Sequence, residues 1–513
     1  MTNTENFLNH IQEGYTFKGS SIRIGSAMLG GEVIKGAEVK AALKTLNRHG
    51  LIAGATGTGK TKTLQGIAES LSEAGVPTLV MDMKGDLSGL SRPGNPHPKI
   101  DERSQLLEID WNPTPFPCEF LSISDEPGVK LRATISEFGP ILLSKILELN
   151  DTQGGVVSLI FKYCDDHNMP LLDVKDFRKM LQFISNEGKD AIEKEYGAIS
   201  STSVGTIMRK LLEIEQQGAD TFFGEISFEV EDLMRKDRNG FGYINVLRLT
   251  DMQSKPKLFS TFMLCLLAEV YATMPEKGDA DKPELVIFID EAHLIFKDAS
   301  KALMDQLDTI VKLIRSKGVG LFFVTQDPTD VPDNILSQLG LKIQHALRAF
   351  TEKDRKSIKS TAENYPITTF YKTDEVLTKM GIGEALVTVL NEKGIPTPLA
   401  HTMLVAPRSR MDIISDAELK DTVANSDIAE RYNRVVDSES AYEILNKKLA
   451  AHTEVIIEQK EERTLRRKKE EPSVIEQISK SSITRTVVRE LTRGLLGVLG
   501  LGGTTRRRKN SLF

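Results

Sequence analysis

Short apolar runs punctuate this chain, and between them apolar residues recur at spacings of three and four. The runs are Leu51–Ala53, Val76–Asp82, Gly242–Leu249, Leu285–Ile289 and Val319–Thr325. Rich in β-branched and aromatic residues, the last two read as strands buried on both faces. Leu64, Ile67, Ala68 and Leu71 mark one helix after the first run, Leu258 to Tyr271 a buried helix, and Lys301 to Lys317 another. Strands alternating with helices predict an α/β fold: a mostly parallel sheet flanked by helices, with binding groups at the carboxyl ends of the strands.

Between Leu131 and Asp237 the helical spacing takes over, as in Ile141, Leu142, Ile146 and Leu149, with further helices over Val156 to Tyr163, Phe177 to Ile184 and Val204 to Ile214. This stretch reads as a helical insertion into the sheet. Beyond the core strands, Glu384 to Leu390 and Ile395 to Val405 flank Asn391-Glu392-Lys393-Gly394 as a hairpin. From Asp416 to Glu471 the pattern is helical and increasingly charged, and around Lys460 it is polar on all sides, as a solvated helix or linker would be. The organisation expected is a leader at 1–47 whose Gly25 to Gly36 reads as hairpin-like or loop structure, two core parts at 48–130 and 239–410, the insertion at 131–238, a charged helical extension at 411–480 and a basic amphipathic tail at 481–513. In that tail Arg485, Arg489 and Arg493 interleave with apolar groups ahead of Arg506 to Lys509, a pattern able to touch nucleic acid or an anionic membrane, or to pack.

Length allows two or three domains, or one large domain with insertions. With 66 basic against 72 acidic residues the net charge is −6, so any nucleic-acid surface has to be local. Cys118, Cys164 and Cys265 lie far apart without metal-ligand spacing, which points to a reducing compartment. No apolar stretch is long enough to span a bilayer and the first residues lack a signal-peptide pattern, so the expected location is cytoplasmic.

The chemistry is concentrated after the first run. Gly54-Ala55-Thr56-Gly57-Thr58-Gly59-Lys60-Thr61 fits the phosphate-binding loop at every fixed position, between a strand and a helix as that chemistry requires. A glycine-rich turn feeding a helix N-terminus aims several N–H groups and a favourable dipole at phosphate oxygens. Lys60 is expected to reach the β- and γ-phosphates and Thr61 to hold Mg²⁺, with Thr63 completing the nucleotide-binding set. The run Leu285–Ile289 then delivers Asp290 and Glu291, the first to orient Mg²⁺ and the second to polarise the attacking water. Gln326, after the next strand, is expected near the γ-phosphate; the plainer alternative is a cap for the turn before Pro328. His293 reads more simply as a helix-start residue than as a catalyst. Asp82, Lys84 and Asp86 end the second strand, where an Asx-type turn and a direct role in the reaction are equally open.

Together with Met81-Asp82-Met83-Lys84-Gly85-Asp86, Glu137-Phe138-Gly139-Pro140, Glu148 to Gly154 and Ile343 to Thr351, these motifs make the chain from about Arg48 to Pro407 resemble the HerA and FtsK group of DNA-pumping ATPases. It is most similar to the bacterial proteins built around a HerA-like C-terminal helicase domain. The resemblance implies a RecA-like P-loop ATPase core, a homo-hexamer with ATP and Mg²⁺ at each subunit boundary, DNA as substrate, a partner nuclease, and an arginine supplied by the neighbouring subunit. Arg315 is the first candidate for that arginine and Arg348 the second. Residues 1–47 are too few for the N-terminal β-barrel that full HerA proteins carry.

Three functions are therefore weighed. The first is an oligomeric motor that translocates or unwinds DNA. The others are a phosphotransferase acting on a small molecule, disfavoured by Glu291, and a nucleotide-gated scaffold with little turnover.

Overall fold

The structure is a computed structural model that describes residues 2–278, 280–297 and 301–450. The chain divides into two units, Met1–Ile444 and Leu445–Phe513. Of the second unit only 445–450 are described, and they are helical; the rest of the charged stretch and the basic tail at 481–513 lie outside the described residues.

In the first unit twelve strands form one sheet. They are β1 (Ser21–Leu29), β2 (Glu32–Ala42), β3 (Gly50–Ala53), β4 (Thr78–Asp82), β5 (Cys118–Ser122), β6 (Val129–Lys130), β7 (Ile244–Arg248), β8 (Leu285–Ile289), β9 (Val319–Thr325), β10 (Leu341–Gln344), β11 (Glu384–Thr388) and β12 (Ala400–Leu404). Their spatial order is β2-β1-β12-β11-β10-β3-β9-β8-β4-β7-β5-β6. All pairs from β10 to β6 are parallel, and β10-β11-β12-β1-β2 continue antiparallel. The hairpin expected over 384–405 is thus β11 and β12, and the leader contributes α1 (Asn3–Tyr15) together with the β1–β2 hairpin.

Strands β3, β4, β8 and β9 are buried along their whole length. That accounts for their unbroken apolar runs, because helices cover both faces of a parallel sheet and leave no wet side for a polar residue. Ile52, Val80, Phe288, Phe322 and Val324 belong to one continuous core, with the Phe288 and Phe322 rings 5.1 Å apart. Helix α2 (Lys60–Glu73) leaves the phosphate-loop strand and buries Leu64, Ile67, Ala68 and Leu71. It carries the chain from β3 over to β4, past β9 and β8, which arrive later in sequence and fill the gap.

The register aligns the carboxyl ends. Ala53 pairs with Thr325 and Gln344, Ile289 with Phe323 and Met81, and Asp82 with Arg248. One edge of the sheet therefore presents the loops that follow β10, β3, β9, β8 and β4 side by side.

Helices α3 (Pro98–Leu107), α4 (Ile135–Ile146), α5 (Asp151–Asp166), α6 (Val174–Ser185), α7 (Lys189–Tyr196), α8 (Ser201–Glu215) and α9 (Ala219–Phe222) come between β4 and β7, the last six within the stretch read as an insertion. Helix α4 is broken at Gly139, whose φ of +75° precedes Pro140, a pairing that interrupts helical hydrogen bonding. Helix α10 (Pro256–Thr273) buries Leu258, Phe262 and Leu266. α11 (His293–Lys297) follows β8, α12 (Lys301–Leu313) precedes β9, and α13 (Asp333–Leu336), α14 (Glu352–Glu363) and α15 (Thr373–Lys379) surround β10.

After β12 the long helix expected from Asp416 is, in its described part, interrupted: α16 (Asp416–Ala424) and α17 (Ala429–Tyr432) are short, and helix returns only over 441–450. The break has a local cause. Asn425 turns its amide back onto Asp421 O at 2.9 Å, and Ser426 Oγ accepts from Ile428 N at 3.2 Å, so side chains compete for the backbone groups that would continue the helix.

Candidate functional site

Gly54 to Gly59 wrap between β3 and α2 with φ of +150° at Gly54, +78° at Gly57 and +108° at Gly59. At Gly54 a β-carbon would lie 2.5 Å from His345 Cβ, so the loop can pass there only without a side chain. Two backbone bonds tie the turn to its neighbours, Gly54 N to Thr325 O at 3.3 Å and Ala55 N to Ala346 O at 2.9 Å. Thr58 Oγ1 donates to Ala55 O at 2.7 Å and closes the turn. The uncapped first N–H groups of α2 open onto this loop, as a helix N-terminus built for an anion does.

Lys60, 7% exposed, donates to Gly54 O at 2.7 Å and to Ala55 O at 3.1 Å, which holds its ammonium over the loop. Burial, and next the charge of Lys84, pull the Lys60 ammonium below its ordinary range, with Glu291 and Asp290 opposing. Thr61 is half-buried in the first turn. Thr63 is buried and shares a 2.9 Å hydrogen bond with His345 Nε2.

The two acids follow β8 on the same edge. Asp290 and Glu291 are both buried, and Glu291 has φ of +48°, a left-handed conformation that costs a non-glycine residue strain and persists only where its surroundings demand it. Ala292 N donates to Val324 O at 2.9 Å and pins this turn to β9. Burial pushes the Asp290 carboxyl up to about 7. Burial alone would raise Glu291 too, but the hydrogen bond and charge of Lys84, joined by Gln326 and His293, hold it below the ordinary carboxylate range. Lys84 Nζ pairs closely with Glu291 Oε1 and lies 4.0 Å from Asp290 Oδ2.

Gln326 joins loop to acid. Its Oε1 accepts from Thr56 Oγ1 at 3.2 Å and its Nε2 donates to Glu291 Oε2 at 3.4 Å. His293 Nδ1 lies 3.1 Å from the same Glu291 oxygen. The structure thus brings Gly54, Ala55, Thr56, Gly57, Thr58, Gly59, Lys60, Thr61, Thr63, Asp290, Glu291 and Gln326 to one edge of the sheet. The two arginines stand elsewhere. Arg315 is exposed in a 3₁₀ turn at the amino end of β9, and with seven residues in that strand the loop edge is about 20 Å away. Arg348, also exposed, follows β10 on the loop side and donates to Thr378 O at 3.3 Å.

Two further residues belong to the site's geometry. Lys84 is one; Asp82, by contrast, turns inward and accepts from the backbone N–H groups of Lys84, Gly85 and Leu87 at 3.3, 2.7 and 3.2 Å, the Asx-type alternative. His345 is the other. Fully buried, it packs on Gly54 and Gly59 and bonds Thr63, and burial with the nearby Lys60 charge brings its imidazole down to about 4, so it is neutral. Its position one residue beyond a strand end, within the Ile343 to Thr351 stretch that carries the resemblance, is the signal that could have found it.

Fold and loop together define a P-loop protein with the RecA-like arrangement of a parallel sheet and flanking helices. The chain belongs to the Helicase HerA-like C-terminal family, which matches residues 29–507. Its similar curated proteins include two named DNA double-strand break repair helicase HerA. One, from Sulfolobus acidocaldarius, is 24% identical over 361 residues, and one from Sulfurisphaera tokodaii is 26% identical over 366. Each alignment takes in 68% of this chain and 63% of the relative, so the chain spans less than two thirds of these relatives' length. Among solved structures, the bacterial conjugative coupling protein TrwBdeltaN70 in complex with sulphate shares the fold, with a TM-score of 0.50 at 15% identity, over 79% of this chain and 94% of that one. Among the described residues no helix is long and apolar enough to cross a membrane.

Proposed function

We propose that this chain is an ATP-hydrolysing motor acting on DNA, assembled as a homo-hexamer. The observation that carries the proposal is the bridge from Thr56 through Gln326 to Glu291, which spans loop and acid within one subunit. In this reading the loop amides and Lys60 bind the β- and γ-phosphates, and Glu291 draws a proton from the attacking water while Gln326 orients it.

The residues present fit a magnesium ion. Asp290 Oδ2 is buried with no hydrogen-bond partner among the described residues, and a hard carboxylate oxygen beside a threonine hydroxyl at Thr61 is the kind of donor set Mg²⁺ takes when substrate phosphates and water complete its shell. Bound there, the ion neutralises charge on the β- and γ-phosphates. The relatives' description as DNA double-strand break repair helicases supports DNA as the track, and the distance of Arg315 from its own subunit's loop supports a neighbour as the recipient of that arginine.

ATP hydrolysis measured with and without duplex DNA across ionic strength tests the reading. Stimulation that fades with added salt is expected. Hydrolysis indifferent to DNA favours the scaffold, and transfer of the phosphoryl group to a small acceptor favours the phosphotransferase. The particle mass with a bound ATP analogue tests the hexamer.

A further inference from the structure

Lys84 stands apart from the loop in sequence and converges on the same small volume. Its backbone is fixed, because Asp82 accepts hydrogen bonds from the N–H groups of Lys84, Gly85 and Leu87. Its side chain is not enclosed: it is 37% exposed, reaching over the mouth of the site to Glu291 and Asp290. The charge of Lys84 is felt at Lys60, the second largest influence on that ammonium after burial. Burial alone would lower the Lys84 ammonium, but the charge of Asp290, the hydrogen bond and charge of Glu291 and the charge of Asp86 hold it above its ordinary range, so it reaches the site as a full positive charge.

Pairing Lys84 with Glu291 also has a chemical consequence. A carboxylate hydrogen-bonded to an ammonium has its lone pairs engaged and is a poor acceptor for a proton from water. A flexible four-carbon stem on a fixed backbone can carry the ammonium from that carboxylate to a nearby phosphate without rearranging the fold.

We propose that Lys84 is a second phosphate-binding cation, resting on Glu291 and passing to the terminal phosphate of a bound triphosphate, which frees Glu291 for the attacking water. The assignment rests on the nucleotide-hydrolysing reading above. Once Lys84 has moved, the water oxygen bonds to the γ-phosphorus. The bond from that phosphorus to the β–γ bridging oxygen breaks, its electron pair leaves on the diphosphate, and the water proton passes to Glu291. A diphosphate leaves Lys84 on Glu291, so the device distinguishes the two nucleotides.

Equilibrium binding of ADP and of a non-hydrolysable ATP analogue, each with Mg²⁺, to the wild-type chain and to Lys84→Met and Lys84→Arg tests it, with thermal unfolding as the check on folding. Lys84→Met is expected to weaken the analogue ~10- to 100-fold, the size of a lost charge-assisted contact, with little change for ADP. Lys84→Arg, which keeps the charge, is expected to recover most of the analogue's affinity. Equal weakening of both nucleotides makes Lys84 a purely structural ion-pair partner and overturns the assignment, as does no change in either. If the wild type binds both nucleotides and Lys84→Met treats them alike, Lys84 alone loses its role. If the wild type binds neither, the nucleotide reading falls with it.

Discussion

Strand β9 ends in two unlike surroundings. At its carboxyl end Gln326 sits among Thr56, Glu291 and the strand-end loops that meet there. At its amino end the chain makes a 3₁₀ turn with Arg315 exposed, over a buried His49 that bonds Val311 O at 2.7 Å and Leu321 N at 3.0 Å. The first end is convergent, gathering acids and ammonium groups on one small volume, whereas the second carries an exposed cation outward. The parallel part of the sheet makes them different, because its strands deliver their carboxyl ends to one edge and leave the amino ends on the opposite one.

The largest expected effect tests whether both ends serve one reaction. Arg315→Ala should lower turnover ~10³- to 10⁵-fold while nucleotide affinity is retained. Mixing it with Glu291→Gln protein should restore part of the activity, since a mixed ring contains boundaries with an intact acid and an intact arginine. No rescue at any ratio breaks the comparison. Rescue with Arg348→Ala in place of Arg315→Ala moves the trans arginine to the loop edge.

Next in size is the division of labour at the loop end. Glu291→Gln should bind nucleotide normally and hydrolyse it ~10²- to 10⁴-fold more slowly, whereas Lys60→Ala should fail to bind; equal loss of binding in both contradicts the roles assigned. Gln326→Ala, which cuts the bridge between loop and acid, should lower turnover by ~10² with affinity kept. An unchanged rate makes Gln326 a turn cap.

The smallest effect is on stability and involves both ends. Burial brings His345 on the loop side and His49 at the amino edge to about 4. The unfolded chain, with imidazoles near 6.5, therefore binds more protons than the native one between those values. Stability should be full above pH 6.5 and fall as the pH is lowered toward 4. Denaturant midpoints across that window should flatten in His345→Gln and in His49→Gln, and an unaltered slope in both removes these groups as its cause.

Much of the fold was legible because the apolar runs of β3, β4, β8 and β9 are buried on both faces and allow no polar interruption. The phosphate loop was legible because its chemistry is contiguous, from Gly54 to Thr61. Lys84 was half legible: its place at a strand end was visible, but an Asx-type turn and a role in the reaction suited Asp82, Lys84 and Asp86 equally, and the structure divides them, with Asp82 inward and Lys84 onto Glu291. His345 falls in the Ile343 to Thr351 stretch that carries the resemblance, but its place under a loop almost 300 positions earlier was hidden, because that contact is made outside its own segment.

By itself the sequence determined the local conformations that chemistry dictates: a glycine-rich turn opening a helix, strands too apolar to be anything but interior, and acids placed directly after one of them. The tertiary structure decided which strand ends are neighbours. The order β10-β3-β9-β8-β4 sets Gln326 between Thr56 and Glu291, brings Lys84 to the acids and turns Arg315 to the opposite edge. Strand order depends on pairing between segments far apart in the chain, and the hydrophobic pattern that makes each strand leaves that pairing unspecified.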